Sequence, residues 1–452
     1  MAAEDPSAAQ PRPITGGAVM TAASQVTVAL TGALATVAVA RLLGPEGTAA
    51  FTVALSLFVM LMTVSTLGLE SGVTWLISSR RWGARAAFAQ AQAAALVLGL
   101  AGMGIGLLAR ALIPAAFDGV STTLVLVVCA GLPFALSWLF SSYIALAVDA
   151  YERYVTAPAL QSAVALAGVA GLAAAFGLDG AIAGLAASHA VAAVAMLVWN
   201  RRRLPPDDVP PQPGLASMRE AVSFGVKSYS AHALQFLNYR LDLFILNAVA
   251  AQAKVGHYAV AISVTSAMWL LPSALSAVVF PRVAALTGTG DEEQRAMVEE
   301  KSLRHVAVIT LVSALLLAGG LVALVEVVYG AEFRPAIELG LILLPGVSLI
   351  GIANVLSATT VGRGFPIYSL YTALIATPPT ILLYVLLVPS MEATGAALAS
   401  SISYGLSFLL SAFYFRRVTG LRVAPLLVPG RSELDDYRRV ARLVRERLRR
   451  SA

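Results

Sequence analysis

The sequence predicts an all-α, polytopic membrane protein with about twelve transmembrane helices, and three observations carry that prediction. Of its 452 residues, 58% are hydrophobic and only 12% charged, whereas soluble domains run near 25% charged. Between residues 14 and 416 apolar runs follow one another, each close to the ~20 residues that bridge ~30 Å of hydrocarbon. Thr123–Val148, Val306–Val328 and Ile367–Val388 meet that length with few or no charges. The third observation is the placement of the 31 Lys and Arg residues, which alternates from loop to loop.

The apolar runs place spans at 17–40, 50–77, 87–112, 122–148, 156–176, 180–199, 221–248, 256–283, 305–328, 336–361, 366–389 and 393–415. They lack the two-residue alternation of a membrane β-barrel. An even number of spans puts both termini on one side. With that side cytoplasmic, 25 of the 31 basic residues fall inside and four (Arg41, Arg110, Lys254, Arg334) outside, with Lys227 and Arg240 in span 7. The positive-inside rule therefore predicts a multi-pass protein of the cell membrane with cytoplasmic N- and C-termini. Met1–Pro13 is polar and carries Glu4 and Asp5. It lacks the basic start of a cleavable signal, so the first span is expected to stay as an anchor.

The domain organisation follows from the polar breaks. Residues 1–16 form a polar cytoplasmic N-terminus and 17–200 a first six-helix lobe. Residues 201–220, opening RRRLPPDDVPPQPG, read as an extended Pro/Arg-rich linker. Residues 221–416 form a second six-helix lobe and 417–452 a basic cytoplasmic tail. The lobes echo each other: Ala50–Ala54 with His257–Ala261, Pro133 with Pro345, and Ala183–Ser188 with Gly395–Ser400. Repeats of six spans are parallel, the plan of transporters in which two bundles rock about a shared site. The Ala- and Gly-rich spans 5 and 6, with Gly168, Gly171, Gly180 and Gly184, read as close helix packing. Pro133, Pro272, Pro345, Pro378 and Pro379 interrupt spans and are expected to bend them.

Ionisable groups at membrane depth are costly and often functional. Span 7 holds most of them. Taken as one helix, it gathers Lys227, Ser228, His232, Gln235, Asn238, Tyr239 and Asp242 within an arc of about 140°, with Arg240 about 80° outside it. Such a face suits the lining of a hydrophilic cavity; internal pairing is the bland alternative. Glu70 is the other isolated intramembrane charge. It lies at a depth near that of Lys227, so a Glu70–Lys227 pair is a candidate gate or proton site, with pairing inside its own bundle as the alternative. His189 reads as a neutral histidine bonded to a neighbouring helix. The four histidines have no metal-ligand spacing, and the single Cys129 excludes an intramolecular disulfide. No GxxxxGK[ST] loop or nucleophile elbow occurs. These readings point to transport without enzymatic chemistry, cofactor or metal.

The tail opens Ser432-Glu433-Leu434-Asp435, which resembles a capping box. In the helix expected after it, Leu434, Tyr437, Ala441, Val444 and Leu448 share a face and Arg438, Arg439, Arg442 and Arg445 crowd the rest. That pattern fits an anionic cytoplasmic leaflet or a protein partner. It does not fit nucleic acid, since Tyr437 is the tail's only aromatic.

Ala40-Arg41-Leu42-Leu43-Gly44-Pro45-Glu46-Gly47, running into Phe51-Thr52-Val53-Ala54, resembles the ARxLGPexxGxy signature of the polysaccharide flippases. These belong to the multidrug/oligosaccharidyl-lipid/polysaccharide exporter superfamily. Asp242–Leu246 with Val255–Ala261, Phe280-Pro281-Arg282 and Val328–Phe333 are similar to its C-terminal half; Ala49 departs from a usual Gly. The resemblance covers residues 15–416. It implies two six-helix lobes around a central cavity and a polyprenyl-diphosphate-linked oligosaccharide as cargo, flipped to the outer leaflet for cell-surface polysaccharide synthesis. Under it, Lys227, Arg240 and Arg41 are candidates for the diphosphate. Gln235, Asn238, Tyr239 and His232 are candidates for sugar, and Glu70 and Asp242 for coupling or gating. Polysaccharide-assembly proteins are candidate partners. A cation-coupled drug exporter of the same superfamily and a lipid II flippase are the alternatives.

Overall fold

A computed structural model describes residues 14–207 and 214–428, apart from the side chains of 14–19, 22 and 289. Among them the chain is helical with no strand. The spans emerge as continuous, broken or fused helices, and sequence chemistry decides which.

Helix α1 (Ile14–Ser65) covers spans 1 and 2, turning at Gly44 with φ 65° and ψ −171°. That conformation needs a residue without a side chain, and the following Pro45 cannot continue a helical ladder from the preceding turn. Span 2 resumes as α2 (Leu69–Ser78) after a break. Span 3 is α3 (Ala84–Leu112). Span 4 divides at Gly131 into α4 (Thr122–Ala130) and α5 (Leu132–Ala147), with Pro133 in the first turn of α5. Spans 5 and 6 fuse in α6 (Tyr151–Arg203), turning at Gly177.

Span 7 is α7 (Gly214–Asn238) plus α8 (Leu241–Val249). Span 8 is α9 (Gln252–Ser266), a short 3₁₀ turn and α10 (Leu270–Thr289). Spans 9 and 10 are α11 (Glu292–Val328) and α12 (Pro335–Gly362). Spans 11 and 12 fuse in α13 (Ile367–Thr419), which turns at Glu392, and α14 (Val423–Leu426) follows. Among the described residues, eight helical stretches are long and apolar enough to span on their own. Three of them, holding α1, α6 and α13, turn midway and supply two crossings each. The polar α7–α8 supplies the remaining one, which makes twelve. Helices continue through Pro345, Pro378 and Pro379.

The internal repeat has a structural counterpart. Helices α6 and α13 are each 53 residues long, turn once and end in arginines. The N-terminal turn uses Gly177, φ 61° and ψ −140°; the C-terminal one forces Glu392 into φ 49° and ψ −124°. Such backbone in a non-Gly residue costs about 1–3 kcal/mol. Glu392 is tied to Lys254 by a half-exposed ion pair, which contributes about 0–1 kcal/mol. Glu392→Gly should therefore raise the melting temperature of the purified protein, and Glu392→Ala, which keeps the strain and loses the pair, should lower it. The same sign for both would show that the strain is negligible.

Contacts sort the chain into two units. One holds Met1–Leu43, Ala54–Leu112 and Val120–Ser230, the other Gly44–Val53, Ile113–Gly119 and Ala231–Ala452. Helix α7 is thus shared, its first part belonging to the first unit. Lipid offers no hydrophobic drive for helix association, so close packing and polar bonds must hold each unit. In the first, α6 folds on itself with Gly168 against Gly184, where an added Cβ would lie 2.4 Å from backbone. A polar chain ties α3, α5 and α6: Ser137 donates to Gln92 (2.5 Å), Gln92 to Ser141 (3.1 Å), Asn200 to the Ser141 carbonyl (2.9 Å) and Arg153 to Asn200 (2.8 Å). His189 is a satisfied core histidine, accepting from the Trp138 indole at 3.1 Å. In the second unit α12 is central, packed against α9, α10, α11 and α13.

Candidate functional site

The largest departure from the sequence reading is in span 7. Read as one helix, it presents a single polar face. In the structure the helix stops at Asn238 and restarts at Leu241. The amides of Tyr239 and Arg240 tighten onto carbonyls three residues back (3.2 and 3.1 Å). The wheel resets at that break, so Asp242 does not continue the face that carries Lys227, and Arg240 stays off that face as the wheel had it. Span 8 breaks at a matching place. Pro272 has no amide to donate to the preceding turn, and Ala267–Trp269 ahead of it forms a 3₁₀ turn. Interrupted helices at membrane depth occur where the backbone borders a cavity or is buried in protein.

Both breaks border one small cavity in the second unit. Phe236, Tyr239, Arg240, Thr265, Trp269 and Tyr404 contribute to its wall, with Leu343 and Val347 of α12. Tyr239 stands edge-on to Tyr404 (centroids 5.2 Å, 89°) and tilted against Trp269 (5.6 Å, 44°). The Tyr239 hydroxyl accepts from Gln235 at 2.6 Å. The buried Trp269 indole N–H has no hydrogen-bond partner. The Arg240 guanidinium lies 5.8 Å from the centre of the Phe236 ring. Among the described residues no carboxylate lies within ion-pair distance of it. An intramembrane guanidinium that no carboxylate contacts, although Asp242 acts on it through space, stands beside aromatic faces and an orphan donor and can take an anionic group carrying an amphipathic ring.

Two residues past Arg240, Asp242 points into protein; it is 1% exposed. One oxygen accepts from the Leu243 amide (2.7 Å), the other from Tyr258 (2.6 Å) and, at 3.4 Å, from Ser400. The Ser400 hydroxyl is also 3.0 Å from the hydroxyls of Tyr258 and Tyr384. Helices α8, α9 and α13 thus meet at one carboxyl group.

The other expected site residues are dispersed. Lys227 and His232 are exposed on α7, and Arg41 is exposed on α1. Asn238 is buried with an unbonded side-chain oxygen and does not line the cavity. Glu70 is 5% exposed with one carboxyl oxygen unbonded. It forms no ion pair with Lys227; the acid is buried and the lysine exposed. Arg438, Arg439, Arg442 and Arg445 lie outside the described residues. Trp269, Tyr404, Tyr258 and Tyr384 escaped the sequence reading. Pro272 carried a signal for the break beside Trp269, but nothing marked the tyrosines of other spans.

Residues 38–338 match the family described as "Polysaccharide biosynthesis protein". No curated protein sequence matches the chain. Among solved structures, an inward-facing multidrug resistance MATE family transporter of the MOP superfamily is 16% identical with a TM-score of 0.73, over 90% of this chain and 99% of that one. The lipid II flippase MurJ in an inward closed conformation is 14% identical with a TM-score of 0.72, over 89% and 90%. The eukaryotic MATE transporter AtDTX14 is 15% identical with a TM-score of 0.61, over 91% and 97%. At such identities the likeness establishes the fold, and function has to be argued from the site.

Proposed function

The chain belongs to the polysaccharide biosynthesis protein family, and from that premise we propose that it is a flippase for a polyprenyl-diphosphate-linked oligosaccharide. It carries the cargo from the inner to the outer leaflet of the cell membrane by alternating access of its two lobes, with both termini cytoplasmic. The observation that carries this reading is the cavity where two broken helices meet Arg240, which no carboxylate contacts among the described residues. A diphosphate cannot cross hydrocarbon alone, because desolvating an unpaired anion costs tens of kcal/mol in the Born limit. A guanidinium in a cavity replaces part of that hydration with charge-assisted hydrogen bonds, while the prenyl chain remains in lipid throughout.

In this proposal Arg240 holds the diphosphate, with Lys227 and Arg41 as further cationic stations. Tyr239, with Gln235 fixing its hydroxyl, meets sugar; Asn238 and His232 are secondary candidates. Asp242 and Glu70 are the candidates for ion coupling. A cationic-drug exporter is disfavoured, since a guanidinium in the cavity wall repels such a cargo. Lipid II remains within the same cargo chemistry, and the assay below can be run with it.

Flipping is measured in proteoliposomes from the leaflet accessibility of a labelled undecaprenyl-diphosphate oligosaccharide. Hydrogen bonds to charged groups contribute about 1.5–3 kcal/mol, so Arg240→Gln should slow wild-type flipping by about ten- to a hundredfold, and Lys227→Gln by less. Folded wild-type protein that leaves the probe in its original leaflet would remove the flippase reading.

A further inference from the structure

We infer that the Trp269–Tyr239–Tyr404 wall is a sugar subsite, and that it takes the pyranose ring next to the diphosphate. The inference deepens the flippase reading and rests on it. Three features of one cavity converge here. The first is the aromatic surface. Pyranose rings have an apolar C–H face, and exposed aromatic faces accept it by burial and weak C–H contacts. Tyr239 is held against Trp269 and against Tyr404 at centroid distances of 5.6 and 5.2 Å, so the wall is pre-formed and little rotamer freedom is lost on binding.

The second feature is the orphan donor. The Trp269 indole N–H is buried without a partner, whereas a buried donor is ordinarily satisfied. Its ring borders the cavity while the N–H itself is covered, so a hydroxyl of a bound ring accepts from it once the covering atoms shift. The Tyr239 hydroxyl, already accepting from Gln235 at 2.6 Å, keeps its own proton for a second ring oxygen.

The third feature is proximity in the chain. Arg240 follows Tyr239 directly and lines the same cavity, so a group on the guanidinium and a ring on the wall are within one residue's reach. In a lipid-linked glycan only one sugar is bonded to the diphosphate. The reducing-end ring, and none of the distal ones, satisfies both contacts together. Discrimination among cargos is therefore set by the first sugar, and the distal glycan is left unread by this wall.

The test uses the full-length protein in lipid nanodiscs and two probes in titration calorimetry. One is a short-chain polyprenyl diphosphate bearing a single hexose; the other is the same diphosphate without sugar. Wild type should bind the sugar-bearing probe about tenfold more tightly. Trp269→Leu, which loses ring and donor, should remove that preference and leave the sugar-free probe unchanged. Trp269→Phe, which keeps a ring and folds most conservatively, should lose about threefold of it. Arg240→Gln should weaken both probes alike. Equal binding of the two probes by wild type, or an equal loss of both in Trp269→Leu, would overturn the subsite while leaving the flippase reading standing on its flipping assay. Wild type that binds neither probe and flips no lipid-linked glycan would overturn both.

Discussion

Replacing Arg363 by Ala should destabilise the second unit by about 3–5 kcal/mol, the cost of leaving a buried charge without its partner. Arg363 ends α12 and donates from Nε and Nη2 to the two oxygens of Glu299 on α11, both at 2.6 Å. Its Nη1 donates to the Val418 carbonyl in the last turn of α13 at 3.2 Å. The Glu299 side chain is fully buried and that of Arg363 11% exposed. One guanidinium therefore closes three helix ends at once, and Ala would strand a carboxylate that water cannot reach. The pair itself need not be strongly stabilising, because desolvating two ions offsets most of their attraction. Those statements separate in a double-mutant cycle. Arg363→Met alone should be severe, whereas Arg363→Met with Glu299→Leu should recover most of the loss, giving a coupling of several kcal/mol in thermal or denaturant unfolding. Additive losses would show that the two side chains act apart.

Glu299 and Arg363 also mark how far the sequence could be read. The run from Glu292 to Arg304 looks like a charged loop edge, and Arg363 like one more basic residue favouring an inner side. Their pairing joins positions 64 apart in sequence, and neither periodicity nor charge counting encodes such a distance. Apolar length and Gly/Pro punctuation, by contrast, are local, and the twelve crossings were legible because the bilayer sets one length for every span. The fused α6 and α13 were legible only as four spans, since a single turn at Gly177 or Glu392 has no polar loop to announce it. Span 7 shows the limit most clearly. Its polarity was visible and pointed to function, but a helical wheel assumes an unbroken helix. The break at Tyr239–Arg240 redistributes the face, sending Asp242 into protein, while Arg240, which the wheel left outside the face, borders a cavity. The aromatic wall was out of reach because Tyr239, Trp269 and Tyr404 come from three different spans.

Asp242→Asn is expected to convert gradient-driven transport into gradient-independent equilibration. The side chain is 1% exposed, and every neighbour that bonds its oxygens is neutral: the Leu243 amide and the Tyr258 and Ser400 hydroxyls. Arg240 acts on it through space without touching it; several kcal/mol weigh against a poorly compensated ion at such a site, so a proton or a small cation from solution can balance its charge. Tyr258 reaches it from α9, and Ser400, with Tyr384 beside it, from α13. Loading or releasing that charge therefore changes how three helices are tied, next to the Arg240 break. Asn retains the shape and can accept from Leu243 and bond Tyr258, but it cannot change charge. In proteoliposomes with an imposed proton or sodium gradient, wild type should accumulate flipped lipid beyond equilibrium. Asp242→Asn should reach equilibrium only, with the gradient response reduced by at least tenfold. Glu70→Gln serves as the contrast: its carboxyl group is as buried but has an unbonded oxygen and lies in the other unit. If Asp242→Asn keeps the full gradient response and Glu70→Gln loses it, coupling resides in the first unit, and the Asp242 cluster is a structural tie among α8, α9 and α13.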